Sequence, residues 1–245
     1  MMIKEPISVE SEPLPTFEST LVVAFPDVLM AGPKILLSSP TAPHADSIPA
    51  WSHFCTAPSA THKKSTTTGT KKKRAIEGNA IWYSTVSGGI GLLTIAVAPP
   101  TNEQSTYLSE AIVNQARVSG TRHIVLVAAS NFASKVQDTH IVQLHQEGHL
   151  GLTAVPKDVS IGDHILSTFL TLLTYIDIPT TALVHPAKKG TNLRETKAII
   201  ENLTRSLGVA IGGPAESGVF SAERAFDYNT TTTEEEASTE SMMYL

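Results

Sequence analysis

Residues 123–130 read HIVLVAAS, a nearly unbroken apolar run rich in β-branched side chains. A strand with one face in water alternates apolar and polar residues. One buried on both faces does not, and such strands belong to parallel sheets covered by helices. The run therefore predicts a central strand of an α/β sheet, and the neighbouring sequence agrees. Just upstream, Thr101 followed by Gln104 resembles a capping box. It opens a helix through about Arg117 with Leu108, Ala111, Ile112 and Gln115 on one stripe. Downstream, IPTTALVH (178–185) predicts another strand, and TLVVAF (20–25), closed by Pro26, predicts an earlier one.

Between these lie AIWYSTV (80–86) and LLTIAVA (92–98), joined by the Gly-rich SGGIG (87–91), which predict an antiparallel hairpin. A polar, histidine-rich segment follows residue 130 and leads to a short strand at LGLTAVP (150–156). Asp163 can cap the helix HILSTFLTLLTYI, whose main stripe is Ile165, Phe169, Leu172, Leu173 and Ile176. Leu166 and Leu170 spill onto its other side. A helix apolar nearly all round is either deeply buried or covered by a partner. Leu166, Phe169, Leu170 and Leu173 are accordingly candidates for a partner interface, with a core helix as the competing reading. TNLRETKAIIENLTRSLG (191–208) predicts an amphipathic helix with Asn192 and Glu195 as its capping pair. Leu193, Ile200, Leu203 and Leu207 face the core and Gly208 is the stop. VAIG (209–212) predicts a last short strand. The expected architecture is one α/β domain with a mixed, largely parallel sheet flanked by helices.

Composition bounds the rest. The 245 residues are 41% hydrophobic and 17% charged, as in a globular chain with a sizeable core. A formal charge of -5 argues against a nucleic-acid partner, which would select a dominant basic face. The single cysteine, Cys55, excludes an internal disulfide and points to a reducing compartment. The first twenty residues lack an apolar h-region, and ILSTFLTLLTYIDI is too short and threonine-rich to cross a bilayer. A soluble cytoplasmic protein with no membrane partner is the expectation, which leaves the sequons at Asn202 and Asn229 without weight. Residues 1–16 predict a flexible arm and 17–225 the folded core. A low-complexity insertion at about 57–75 and an acidic tail, 226–245, predict disorder. The basic run KKSTTTGTKKKR (63–74) also allows a nuclear import signal, though solvated loops carry such runs too.

No catalytic constellation emerges. SGGIG lies between two strands instead of opening a helix, and IGGPAESG (211–218) lacks the Lys-Ser/Thr ending of a P-loop. His145 and His149 have i, i+4 spacing, but Gly148 weakens a helix there and no third ligand suggests itself. Cys55 has no evident base, and no G-x-S-x-G is present. His185 stands at a strand end, where catalytic residues often lie, yet it stands alone. Neither cofactor nor metal is expected, and the weight shifts from catalysis to binding.

The sequence closes on YNTTTTEEEASTESMMYL (228–245). Apolar groups at the tip of a solvated tail gain nothing unless something receives them. Met243, Tyr244 and Leu245 supply an apolar anchor, a phenol that packs and hydrogen-bonds, and a terminal carboxylate that can pair with a lysine. Met243 and Leu245 also fit the ligand pattern of a PDZ domain, so that reading stays open. The twenty residues after Ala225, this terminus included, would have a root-mean-square reach of roughly 22–27 Å as a coil. Glu234, Glu235, Glu236 and Glu240 could steer it toward basic rims, or merely keep it soluble.

The hydrophobic–Tyr–X terminus, together with IGDHILSTFLTLLTYIDIPTTALVHP (161–186), resembles the proteasome assembly chaperones, and among them the first subunit in its fungal form. The resemblance is specific in those two stretches. It implies a fold similar to that of nucleoside phosphorylases without their active site. It implies no enzymatic activity, and a heterodimer with a second chaperone subunit. It further implies binding to the outer face of the 20S proteasome α-ring, with Met243, Tyr244 and Leu245 in a pocket between α subunits, blocking premature docking of regulators. Cytoplasm and nucleus are the implied compartments. An α/β enzyme of phosphorylase or hydrolase type is the alternative.

Overall fold

The structure, a computed structural model, describes residues 14–41, 45–55, 80–146, 150–156, 159–212 and 219–226. The insertion at 57–75, residues 1–13 of the N-terminal arm, His149 and residues 227–245 of the tail lie outside them. Eight strands form one mixed sheet in the order β2-β3-β4-β1-β5-β8-β6-β7. They are β1 (Thr20–Ala24), β2 (Asp46–Ser47), β3 (Ile81–Val86), β4 (Ile90–Ile95), β5 (His123–Ser130), β6 (His140–Leu144), β7 (Thr153–Ala154) and β8 (Thr180–Pro186). The central strands β4, β1, β5 and β8 run parallel; β3 and β6 flank them antiparallel.

Side chains leave a strand alternately to its two faces, and here both faces are apolar. Leu21, Val23, Phe25, Ile124, Leu126 and Ala128 enter one core cluster; Val22, Ala24, Val125, Val127 and Ala129 enter the other. The first is covered by α3 (Asn102–Ser119) and α4 (His164–Thr174), the second by α1 (Ala31–Leu37) and α5 (Leu193–Ala210). The result is a three-layer α/β/α sandwich. Residues 124–130 of β5 are buried throughout, as an unbroken apolar run requires.

Local signals place the elements. Thr101 accepts from the Gln104 N–H, Asp163 from Leu166 and Asn192 from Glu195, each opening its helix as the sequence predicts. Gly88 and Gly89 take φ of 90° and 72°, which the tight β3–β4 turn requires. Trp51 lies in α2 (Pro49–Ser52), buried edge-on against Phe17 at 5.9 Å. The end of the predicted arm is held as well. The Pro15 carbonyl accepts from Gln115 Nε2 at 2.9 Å and the Thr16 carbonyl from the Tyr83 hydroxyl at 3.4 Å.

Several expectations need correction. The histidine-rich segment contains a strand, β6, paired antiparallel with β8, whereas the strand expected at 150–156 shrinks to the two residues of β7. Helix α1 has no counterpart in the sequence reading. Gly208 does not stop α5. It is buried inside the helix, which continues through Val209 and Ala210, so the strand predicted at 209–212 is replaced by the helix end. Leu193 is 59% exposed because it sits in the first turn, and Ile199 takes its place in the core. On α3 the buried face is turned toward Ser109, Val113 and Ala116; Ala111 and Gln115 are half-buried.

Candidate functional site

In an open α/β sheet, ligands bind outside the carboxyl ends of the parallel strands. Two features occupy that edge here, one around β1 and one around β5 and β8.

At the end of β1 the chain turns through Pro26, Asp27 and Val28 into α1. Asp27 directs its carboxylate back at the turn. One oxygen accepts the Leu29 and Ala31 N–H groups at 2.9 and 3.0 Å; the other accepts Gly32 and Ala129 at 2.9 and 3.1 Å. Met30, at φ 55°, bends the loop into place. Burial pushes the Asp27 carboxyl above its ordinary value, against the pull of these four bonds. Lys34 donates to the Leu29 carbonyl at 3.0 Å and adds a nearby positive charge. The N–H groups that open a helix at a strand end are ready-made anion donors. Here the protein's own carboxylate takes them, so this end of the sheet is sealed.

The second feature is an open cleft of about 1270 Å³ beyond β5 and β8. Its floor comes from His185 at the end of β8 and His140 at the start of β6; β6 runs antiparallel, so its first residue reaches the same edge. Lys188 and Lys189 line it from the loop after β8, Lys135 from the loop after β5, and Glu195 from α5. The Lys188–Thr191 turn is fixed by the Thr191 hydroxyl donating to the Lys188 carbonyl at 2.6 Å. His140 is held at both nitrogens, facing the Asp138 carbonyl at 2.8 Å and the Ser134 hydroxyl at 2.9 Å.

His185 is different. Its Nδ1 faces the Pro186 carbonyl at 2.9 Å. A carbonyl only accepts, so Nδ1 carries the proton and Nε2 presents a lone pair. Burial lowers the pKa of this ring, which keeps it neutral at physiological pH. Three buried side-chain polar atoms among the described residues have no hydrogen-bond partner in the chain: His185 Nε2, Ser130 Oγ and Thr139 Oγ1. Ser130 ends β5 beside Pro186, and Thr139 immediately precedes His140, so all three gather at this edge.

The other sequence candidates have structural explanations. His145 takes φ 55° and its Nε2 bonds the Leu173 carbonyl at 2.8 Å, tying the end of β6 to α4. Cys55 is buried, and burial pushes its thiol up to about 11. Leu166, Phe169 and Leu173 lie inside the chain's own core at 0–1% exposure, with Phe169 stacked on Phe25 at 6.0 Å; Leu170 is half-buried. A partner can reach only Leu170 of the four without opening the core. Met243, Tyr244, Leu245 and the four tail glutamates lie outside the described residues. Sequence reasoning singled out His185 but missed Asp27 and His140. An Asp just after a strand and four residues before a helix is a usable signal for such a cap. Among the described residues no helix is long and apolar enough to cross a membrane.

No protein-family model matches the chain, and no curated protein matches it in sequence. Its structure does have counterparts. PbaA of Pyrococcus furiosus, an archaeal homolog of proteasome-assembly chaperone, superposes with a TM-score of 0.57 at 14% identity, covering 94% of this chain and 91% of its own. The chain shares its fold. PbaB of the same organism, an archaeal proteasome activator, gives 0.57 at 12% identity over 94% of this chain and 96% of its own. A PAC2 family protein from Streptomyces avermitilis gives 0.54 at 12% identity over 88% and 94%.

Proposed function

We propose that this chain is a proteasome assembly chaperone, the first subunit of the pair in its fungal form, and not an enzyme. It pairs with a second chaperone subunit and sits on the outer face of the 20S α-ring. There Met243, Tyr244 and Leu245 enter a pocket between α subunits and the body blocks premature docking of regulators. The observation that carries this reading is the superposition on PbaA over nearly the whole chain, in a sequence that ends Met-Tyr-Leu.

Each residue has a physical task. Leu245 supplies the carboxylate, Tyr244 packs and orients, and Met243 fills an adaptable apolar site. Glu234, Glu235, Glu236 and Glu240 raise the on-rate toward basic rims. The partner interface centres on the half-buried Leu170, with Leu166, Phe169 and Leu173 forming the rigid layer beneath it. The sealed loop at Asp27 supports a non-enzymatic role, because the helix-end donors that would hold a substrate anion are occupied by a side chain. The protein works in the cytoplasm and nucleus.

The test is capture of α-ring intermediates by the full chain and by a form lacking residues 243–245. Loss of capture on truncation, and on Tyr244→Ala, is expected. Undiminished capture by the truncated form would overturn the tail mechanism. If Leu245→Asp abolishes binding of a partner while Tyr244→Ala has no effect, the PDZ-ligand reading replaces it.

A further inference from the structure

The cleft beyond β5 and β8 is not needed for a tail-insertion mechanism, yet it carries the chemistry of a binding site. A buried polar group without a partner costs about 1–3 kcal/mol, and folded proteins retain few of them. Among the described residues such atoms gather at one strand-end edge, beside a cleft large enough for a small molecule. His185 is 3% exposed, and the lone pair of its Nε2 asks for a donor, which a hydroxyl supplies. Ser130 and Thr139 carry two further unpaired hydroxyls at the same strand-end edge, behind the cleft lining. Among the described lining residues the charged side chains are Lys135, Lys188, Lys189 and Glu195, and the Asp138 carboxylate acts on the His185 ring from beside the cleft. That balance favours a small anion over a polyanion such as nucleic acid.

We infer that this cleft binds a small anion bearing a hydroxyl group. The hydroxyl donates to Nε2 of His185, and the anionic group, phosphate or carboxylate, is held by Lys188 and Lys189. The turn that Thr191 closes fixes the backbone at Lys188, and the imidazole is fixed by its own bond to the Pro186 carbonyl. Nε2 is closed to solvent in the unliganded chain, so binding has to open a path to it and to order two exposed lysine side chains.

The experiment uses the full chain and two probes, glycerol 3-phosphate for the phosphate class and D-glycerate for the carboxylate class. Glycerol and inorganic phosphate serve as the halves of the first. Calorimetry gives the affinity, and nitrogen NMR of the histidine rings reports on Nε2 of His185. One probe class should bind saturably and move the Nε2 resonance toward that of a hydrogen-bonded acceptor. Each half-molecule should bind at least about tenfold more weakly, as expected for losing one good polar contact. Replacing both lysines, Lys188→Ala with Lys189→Ala, should weaken the winning probe by about tenfold or more without lowering the melting temperature, since both are exposed loop residues. His185→Phe should abolish the hydroxyl preference. If that variant fails to fold, the NMR shift and the lysine pair still decide the matter. Failure of both probes to bind overturns the inference. So does binding that ignores the lysines and leaves the His185 resonance unmoved.

Discussion

The β1 loop and the β8 cleft lie at the same edge of one sheet, built from parallel strands of similar composition, yet they solve the strand-end problem in opposite ways. At β1 a carboxylate collects four backbone N–H groups, and α1 is pressed onto the neighbouring strand. At β8 an imidazole and two hydroxyls are left without partners beside an open cleft. The first region is polar chemistry used for architecture. The second leaves polar atoms unpaired within the chain. Position at a strand end therefore does not make a site; the state of the donors and acceptors there does.

The largest effect should come from unsealing the first region. Asp27→Ala leaves four N–H groups without their acceptor, and at roughly 1 kcal/mol each the loss should be about 2–4 kcal/mol in denaturant unfolding. A loss within the error of extrapolation would mean that water replaces the carboxylate and the loop is not sealed. The pH dependence sharpens the point. Burial raises the Asp27 carboxyl, so the folded chain holds this proton more firmly than the unfolded chain does. Its contribution thus favours folding below the ordinary carboxylate range and is lost as pH rises through the folded-state value. Wild-type stability measured against Asp27→Asn should fall as pH climbs through that window. A rise would show that the four hydrogen bonds outweigh burial.

A smaller loss is expected at Gly32, where the seal depends on close approach. A methyl group there would run into the Val127 carbonyl oxygen and meet Ala24 Cβ at 3.2 Å. The backbone oxygen cannot rotate away, so α1 must lift from β5. Gly32→Ala should cost about 1–3 kcal/mol, the usual range for overpacking a tight site. A neutral result would show that α1 rides loosely on the sheet, and the contrast between the two regions would weaken.

The same two regions explain what the sequence could and could not say. β1, β5 and β8 were legible because strands buried on both faces need unbroken apolar runs, and the caps at Thr101, Asp163 and Asn192 act within three residues. β6 was not legible: HIVQL has only two fully buried residues and follows a polar loop, so its pairing with β8 is a tertiary matter. α1 escaped because its cap, Asp27, reaches it across a left-handed residue and a Gly-Pro pair follows. Gly208 reads as a helix stop by propensity, but the fold buries it, and packing overrides propensity. The cleft draws its lining from loops, β6, β8 and α5, so no single window of sequence contains it.

The smallest effect has the opposite sign and tests the open region directly. Thr139→Val keeps the shape of the side chain and removes a buried hydroxyl that bonds nothing in the chain. Ser130→Ala does the same at the end of β5. Where a hydroxyl has a partner, its loss costs about 1 kcal/mol; where it has none, its loss removes a desolvation penalty. Both variants should therefore unfold within about 0.5 kcal/mol of wild type, or slightly later in denaturant. The contrast with Asp27→Ala rests on this difference in sign, because all three changes delete oxygen at the same edge of the sheet. A loss above about 1 kcal/mol for either hydroxyl would show that it is satisfied in solution. The edge beyond β5 and β8 would then be sealed in its own way, and the two regions would differ only in which atoms do the sealing.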